Sequence, residues 1–177
     1  MNITYRSATP DDALAVSELA RELFPDACPH FIPADAIEKF NDDKLNETVF
    51  AEFLDQSERM IINLAQGEDG KLLGYTLLDT QPDPAELLDT VDKNSAYLSK
   101  FYVHPDARGT GVAHELMDRV VDDAQQAGFA SVFLGTNIYN ERANAFYAKN
   151  GFEIVGERIF PFAPGIDCTD YVRARVL

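Results

Sequence analysis

Leu98-Ser99-Lys100-Phe101-Tyr102-Val103-His104-Pro105-Asp106-Ala107-Arg108-Gly109-Thr110-Gly111-Val112-Ala113 is the stretch from which the rest of the chain is read. The apolar residues Tyr97, Leu98, Phe101 and Val103 mark a buried strand, Pro105 stops it, and the glycine-spaced turn Arg108 to Gly111 opens a helix. A strand that feeds a helix through glycines makes an anion cradle. The first helical N–H groups have no intrahelical partner, the turn's own N–H groups converge, and the helix dipole adds positive potential, so phosphate is held without a basic side chain. Glycine is needed where a Cβ would block close approach or where φ is positive. No Lys-Ser or Lys-Thr pair follows Gly111 and no GxGxxG is present, which excludes the nucleoside-triphosphate and dinucleotide patterns.

Downstream, the spacing predicts a helix from Gly111 to Ala127 that buries Val112, Leu116, Met117, Val120, Val121 and Ala124 and ends at Gly128. Ser131 to Gly135 reads as a buried strand, most simply parallel to the central one because a helix separates them. A further helix, Asn140 to Lys149, stops at Asn150-Gly151. Strands Phe152 to Phe160 and Thr169 to Val176 follow, separated by a Pro161 to Gly165 loop. Upstream, Ile3 to Ser7 is a first strand, and Thr9-Pro10-Asp11-Asp12 starts a helix with Thr9 as N-cap. Its stripe is Leu14, Val16, Leu19, Ala20 and Leu23, and Phe24-Pro25 should end it, leaving Asp26 to Pro33 as a loop. Ala34 to about Asp55 is helical with a break expected at Asn41-Asp42-Asp43. Arg59 to Gln66 and Lys71 to Thr80 form a hairpin through Gly67 to Gly70, and Gln81 to Asn94 is a loop or short helix. The expected class is a mixed α/β sheet with helices on both faces.

The chain has 177 residues, 46% hydrophobic and 25% charged, which suits a single domain spanning 1–177. Net charge is −15, and most of it lies early: residues 1–93 hold 20 acids and 7 bases, residues 94–177 only 10 acids and 8 bases. Such a field repels nucleic acid and anionic membrane and favours a cationic partner; a solvated acidic surface explains the same count. No signal-peptide core or bilayer-length apolar run is present, so the expected location is the cytoplasm. Cys28 and Cys168 lack a CxxC spacing and are expected as reduced thiols, and His30, His104 and His114 lack metal-ligand spacing, so no metal is expected.

The central strand and turn, taken with Asn140-x-x-Ala143-x-x-Phe146-Tyr147-x-Lys149-x-Gly151-Phe152, resemble the GCN5-related N-acetyltransferases. The resemblance implies that family's fold, a mostly antiparallel sheet whose one parallel pair splays at the cofactor site, and acetyl-CoA as co-substrate. It implies pyrophosphate on the backbone of the turn, Arg108, Gly109, Thr110, Gly111, Val112, Ala113 and His114. The pantetheine arm would add like a strand along Phe101, Tyr102 and Val103. Asn140 would contact the cofactor, and its simpler role is to cap the helix it begins. Tyr147 would face the cofactor sulfur, protonated at neutral pH and able to give a proton to the departing thiolate; otherwise it packs in the core with Phe146.

The implied reaction is direct attack of an amine on the thioester without an acyl-enzyme, helped by a backbone N–H that polarises the carbonyl. Many family members supply a glutamate from the central strand to take the amine's proton, whereas this chain offers Ser99 and Lys100. The string Gly156 to Val172, with Gly156, Phe160, Gly165, Thr169 and Asp170, is similar to the bacterial spermidine/spermine branch, although Arg158 stands where a histidine is expected and Lys100 where an arginine is. That branch implies a small amine or polyamine acceptor, with Asp170 as an acceptor contact; a surface ion pair of Asp170 with Arg173 or Arg175 is the alternative. A protein or peptide N-acetyltransferase and a non-catalytic CoA-binding module are the other readings, and the oligomeric state stays open, a homodimer included.

Overall fold

The computed structural model describes residues 2–177. The expected hairpin forms between β2 (Met60–Gly67) and β3 (Leu72–Asp79), turning at Gly70 with φ +83°. β1 (Ile3–Ser7) pairs antiparallel with β2, and β4 (Ser95–Val103) pairs antiparallel with β3. β5 (Ser131–Asn137) runs parallel to β4, and β7 (Ile166–Val176) and β6 (Glu153–Ala163) complete the sheet in the order β1-β2-β3-β4-β5-β7-β6. One parallel pair in an otherwise antiparallel sheet is the expected fold class.

Alternation along the strands divides the core in two. Leu64, Tyr75 and Leu77 lie on the face covered by α1 (Ala13–Ala27) and α3 (Glu47–Asp55). Leu78, Leu98, Met117, Val120 and Tyr147 pack on the other face, beneath α4 (Val112–Gln126) and α5 (Glu141–Lys149). The helices therefore flank both faces, and each supplies the stripe that its periodicity announces.

Several boundaries differ from the sequence reading, and one contact explains two of them. α1 continues through Pro25 to Ala27, because the Arg21 carbonyl that Pro25 cannot bond accepts instead from Asn41 Nδ2 at 3.3 Å. Asn41 is therefore buried within α2 (Ala34–Lys44) rather than breaking it, and the break comes at Leu45-Asn46, where Asn46 Oδ1 accepts from the Val49 N–H at 3.0 Å and caps α3. Leu14 is 51% exposed and outside the stripe. Thr9 precedes a single 3₁₀ turn, Pro10–Asp12, and α1 itself opens at Ala13. β6 runs through Pro161, which an edge strand tolerates, and the hairpin to β7 closes at Gly165 with φ +76° instead of through a five-residue loop. The central strand begins at Ser95, and β5 extends to Asn137.

Candidate active site

β4 and β5 pair only from Ser95↔Ser131 to Tyr97↔Phe133, although β4 continues to Val103 and β5 to Asn137. Beyond that point the strands part, and the β5 side of the β4 backbone is left without its parallel partner. A bulge accompanies the parting: the β3–β4 register steps from Leu77↔Lys100 to Leu78↔Leu98, so Ser99 is the extra residue. The opening is part of a cleft of about 1150 Å³. It is lined by Phe101, Tyr102 and Val103 from β4, by the glycine turn, by Asn140 and Tyr147, and by Asp170.

At one end lies the turn. Gly109 and Gly111 have φ +76° and +91°, which answers the need for glycine, and nothing lies within 4 Å of a Cβ built on either, so the space above them is open. Gly111 is the N-cap of α4. Among the described residues, the N–H groups of Gly109, Gly111, Val112, Ala113 and His114 have no protein acceptor, whereas those of Arg108 and Thr110 bond to Pro105 and Ala107 carbonyls. The turn thus presents free donors at a helix N-terminus, a geometry suited to an anion. The Val112 side chain is fully buried in the cluster of Leu73 and Leu116, and neither Val112 nor Thr110 lines the cleft. The Thr110 hydroxyl donates to the Ala107 carbonyl at 2.6 Å, and the His114 ring sits 6.0 Å from that of Phe146 on the cleft wall.

α5 carries Tyr147 to the cleft wall. Its ring is 8% exposed and meets Phe101, Phe146 and Phe152 edge-on at 6.2, 5.6 and 5.8 Å, so packing fixes its orientation. Burial pushes the phenol well above its ordinary value, which keeps the proton on at neutral pH. The core and cleft readings of Tyr147 therefore hold together: the ring packs while the residue lines the cavity. Asn140 caps α5, its Oδ1 accepting from the Ala143 N–H at 3.2 Å, and also lines the cleft.

The other end of the cleft is bounded by α1, α2, β6 and β7. Asp170, expected as an acceptor contact, is buried and lines it, but its carboxylate accepts from Arg158 Nε at 3.3 Å, and the alternative of a pair with Arg173 or Arg175 gives way to Arg158. Burial raises the Asp170 carboxyl against the pull of that guanidinium. Arg158 also donates to Glu86 at 2.8 Å and to the Tyr97 hydroxyl at 3.0 Å, and it lies across Gly135, where a Cβ would stand 2.6 Å from its Cζ. Lys100 lines the same space, half-buried, and burial lowers it to about 8 with no acid to offset the effect. Phe24, Phe40, Phe160 and Phe162 form a wall here; Phe24 and Phe40 stack at 4.5 Å and Phe40 and Phe162 at 5.1 Å. Sequence reasoning missed both the Arg158 network and this wall. The wall joins segments more than a hundred positions apart and Arg158 reaches Glu86 and Tyr97 across more than sixty, and only the wall's composition, aromatic residues beside prolines, hinted at it.

Cys28 and Cys168 are free thiols on the lining. Burial raises Cys28 to about 12 and raises Cys168 as well, so neither is a thiolate at neutral pH. Among the described residues no cluster of His, Cys, Asp and Glu is arranged to hold a metal, and no helix is long and apolar enough to cross a membrane.

A family model described as Acetyltransferase (GNAT) family matches residues 15–152. An uncharacterized N-acetyltransferase of Mycobacterium tuberculosis is 37% identical over 166 residues, 94% of this chain and 98% of the relative. An aminoglycoside N(6')-acetyltransferase type 1 of Stenotrophomonas maltophilia is 28% identical, covering 85% of this chain and 86% of that one. Among solved structures, the PaiA N-acetyltransferase of Thermoplasma acidophilum, crystallised with coenzyme A, superposes with a TM-score of 0.81 at 19% identity over the full length of both chains. With the family model covering most of the sequence and the mycobacterial relative nearly all of it, the chain belongs to the GNAT family of N-acetyltransferases.

Proposed function

We propose that the cleft binds acetyl-CoA along the splay between β4 and β5 and transfers the acetyl group to a small primary amine by direct attack. The observation that carries this reading is the parting of β4 from β5 after Tyr97↔Phe133, opening into the same cleft as a turn of free N–H donors. Acetyl-CoA supplies an activated acyl carbon with a thiolate leaving group. The backbone donors of Gly109 and of Gly111 to His114 hold its pyrophosphate, and the unpaired edge of β4 at Phe101 to Val103 takes the pantetheine amides as a neighbouring strand would. An N–H on that edge polarises the thioester carbonyl.

The acceptor nitrogen, in its neutral form, makes the new bond to the acyl carbon as the bond to sulfur breaks and its electron pair goes to sulfur. Tyr147 gives that sulfur a proton and is reprotonated from solvent, while the nitrogen loses one proton to water. No cysteine takes part, consistent with two thiols held protonated. The acid-rich first half supports attraction of a cationic acceptor, and the field alone would favour polyamines most. Asp170 does not add to that preference, because its carboxylate is engaged by Arg158.

The test is thermal melting with acetyl-CoA followed by thiol-release measurements over a panel of amines. Stabilisation with amine-dependent thiol release is expected. Stabilisation with no release on any amine would leave a CoA-binding module and overturn the enzymatic reading.

A further inference from the structure

The acceptor end of the cleft has a charge pattern at odds with the acidic chain around it. Lys100 and Arg158 both line it. Arg158 uses Nε, Nη1 and Nη2 once each, on Asp170, Glu86 and Tyr97, so two of its five N–H groups have no acceptor among the described residues. Lys100 Nζ has no hydrogen-bond or ion-pair partner among them, and burial alone acts on it. Of the carboxylates on the lining, Asp170 is held by Arg158 and Asp43 by Lys39 at 2.6 Å, which leaves the exposed Asp26. Arg158 is thus offset by Asp170 and Glu86, so this floor holds one unpaired cation, Lys100, beside two free Arg158 N–H donors, and its buried carboxylate, Asp170, is already engaged.

These facts bear on which amine can react. An alkylamine of pKa about 10.4 costs about 4.6 kcal/mol to deprotonate at pH 7, and no acid on the floor helps to remove its proton. A peptide α-amine, with an ordinary value of about 7.7–8.0, costs only about 1 kcal/mol. A free amino acid approaches that range once its carboxylate is paired with a cation. Lys100 and the two free Arg158 N–H donors attract the oxygen atoms beside an α-amine. Next to them stand the half-buried rings of Phe24, Phe40, Phe160 and Phe162, a surface for an apolar side chain rather than for a hydrated chain of ammonium groups.

We infer that the acceptor is an α-amino group flanked by its own carboxylate or carbonyl oxygen, held by Lys100 and Arg158, with a bulky apolar side chain against the phenylalanine wall. This rests on the acetyl-transfer reading and names its acceptor class.

The experiment is thiol release by the full chain at saturating acetyl-CoA with L-phenylalanine, phenylalanyl-glycine, phenethylamine, L-alanine and spermidine. Phenylalanine or its dipeptide should exceed phenethylamine, alanine and spermidine by about 10-fold or more in kcat/KM, since a site built for a polar group rejects the analogue lacking it. The better of the two separates free amino acids from peptide termini. Lys100→Met should raise KM for the favoured acceptor about 10-fold, more than for phenethylamine, and Lys100→Arg should restore it. Phenethylamine or spermidine matching phenylalanine overturns the inference while leaving acetyl transfer standing. Failure of every amine overturns both.

Discussion

Arg158 and Asp170 are registered partners across the β6–β7 hairpin, and the Arg158 Nε donates to Asp170 Oδ2 at 3.3 Å inside the cleft. The pair ties two strands at the floor of the cleft, with side chains only 17% and 12% exposed. Asp170→Asn should therefore lower stability by about 1–3 kcal/mol, because Arg158 keeps Glu86 and Tyr97 but loses a charged acceptor. That corresponds to a fall in Tm of roughly 2–10 °C for a chain of this size, read by calorimetry. The ratio of kcat/KM for spermidine over a monoamine should stay level; a selective loss of spermidine turnover at unchanged Tm would return Asp170 to the role of an acceptor contact.

The open space above Gly111 sets a second expectation. Because nothing lies within 4 Å of a Cβ built there, a side chain at this position projects into open space, the space that the proposed function gives to the pyrophosphate. Gly111→Val should raise the KM for acetyl-CoA about 10-fold or more, in addition to a stability loss of about 1–3 kcal/mol from a β-branched residue at a φ of +91°. Gly111→Ala should show a smaller rise. A folded Val variant with unchanged acetyl-CoA affinity by titration calorimetry would move the pyrophosphate elsewhere.

Tyr147→Phe keeps every ring contact with Phe101, Phe146 and Phe152 and removes only the hydroxyl. If that hydroxyl protonates the departing sulfur, kcat should fall by about 10²-fold while acetyl-CoA affinity and Tm change little. Full activity would reduce Tyr147 to packing.

Lys100 couples the cleft to pH. Its folded value, about 8, lies below its ordinary 10.5, so between those values the unfolded chain binds the extra proton and stability rises with pH. Below pH 8 the full penalty of burying the ammonium is present. Lys100→Met should therefore raise Tm at pH 7, by the equivalent of about 2–3 kcal/mol, and the advantage should shrink as pH approaches 10. Melting curves at pH 7, 8.5 and 10 check this; a pH-independent difference would mean that Lys100 is not desolvated.

Local chemistry determined the parts of this protein that depend on neighbours in sequence. Glycine at 109 and 111 announced positive φ and a free helix N-terminus, Gly67 to Gly70 announced a hairpin, and the stripe from Val112 to Ala124 announced the helix behind the turn. The motif around Tyr147 placed that residue on α5, and the resemblance pointed to the family. Tertiary structure decided what depends on distant partners. Pro25 and Asn41 were both misread because each compensates the other across two helices, a bond between the Arg21 carbonyl and Asn41 Nδ2 that no local propensity encodes. For Asp170, read as an acceptor contact with a pair to Arg173 or Arg175 as the alternative, alternation sends those two arginines to the opposite face and strand register delivers Arg158 instead. The phenylalanine wall was hidden for the same reason: Phe24 and Phe40 meet Phe162, and Lys100 shares a cleft with Arg158, only after the sheet brings its far edge back over the first two helices.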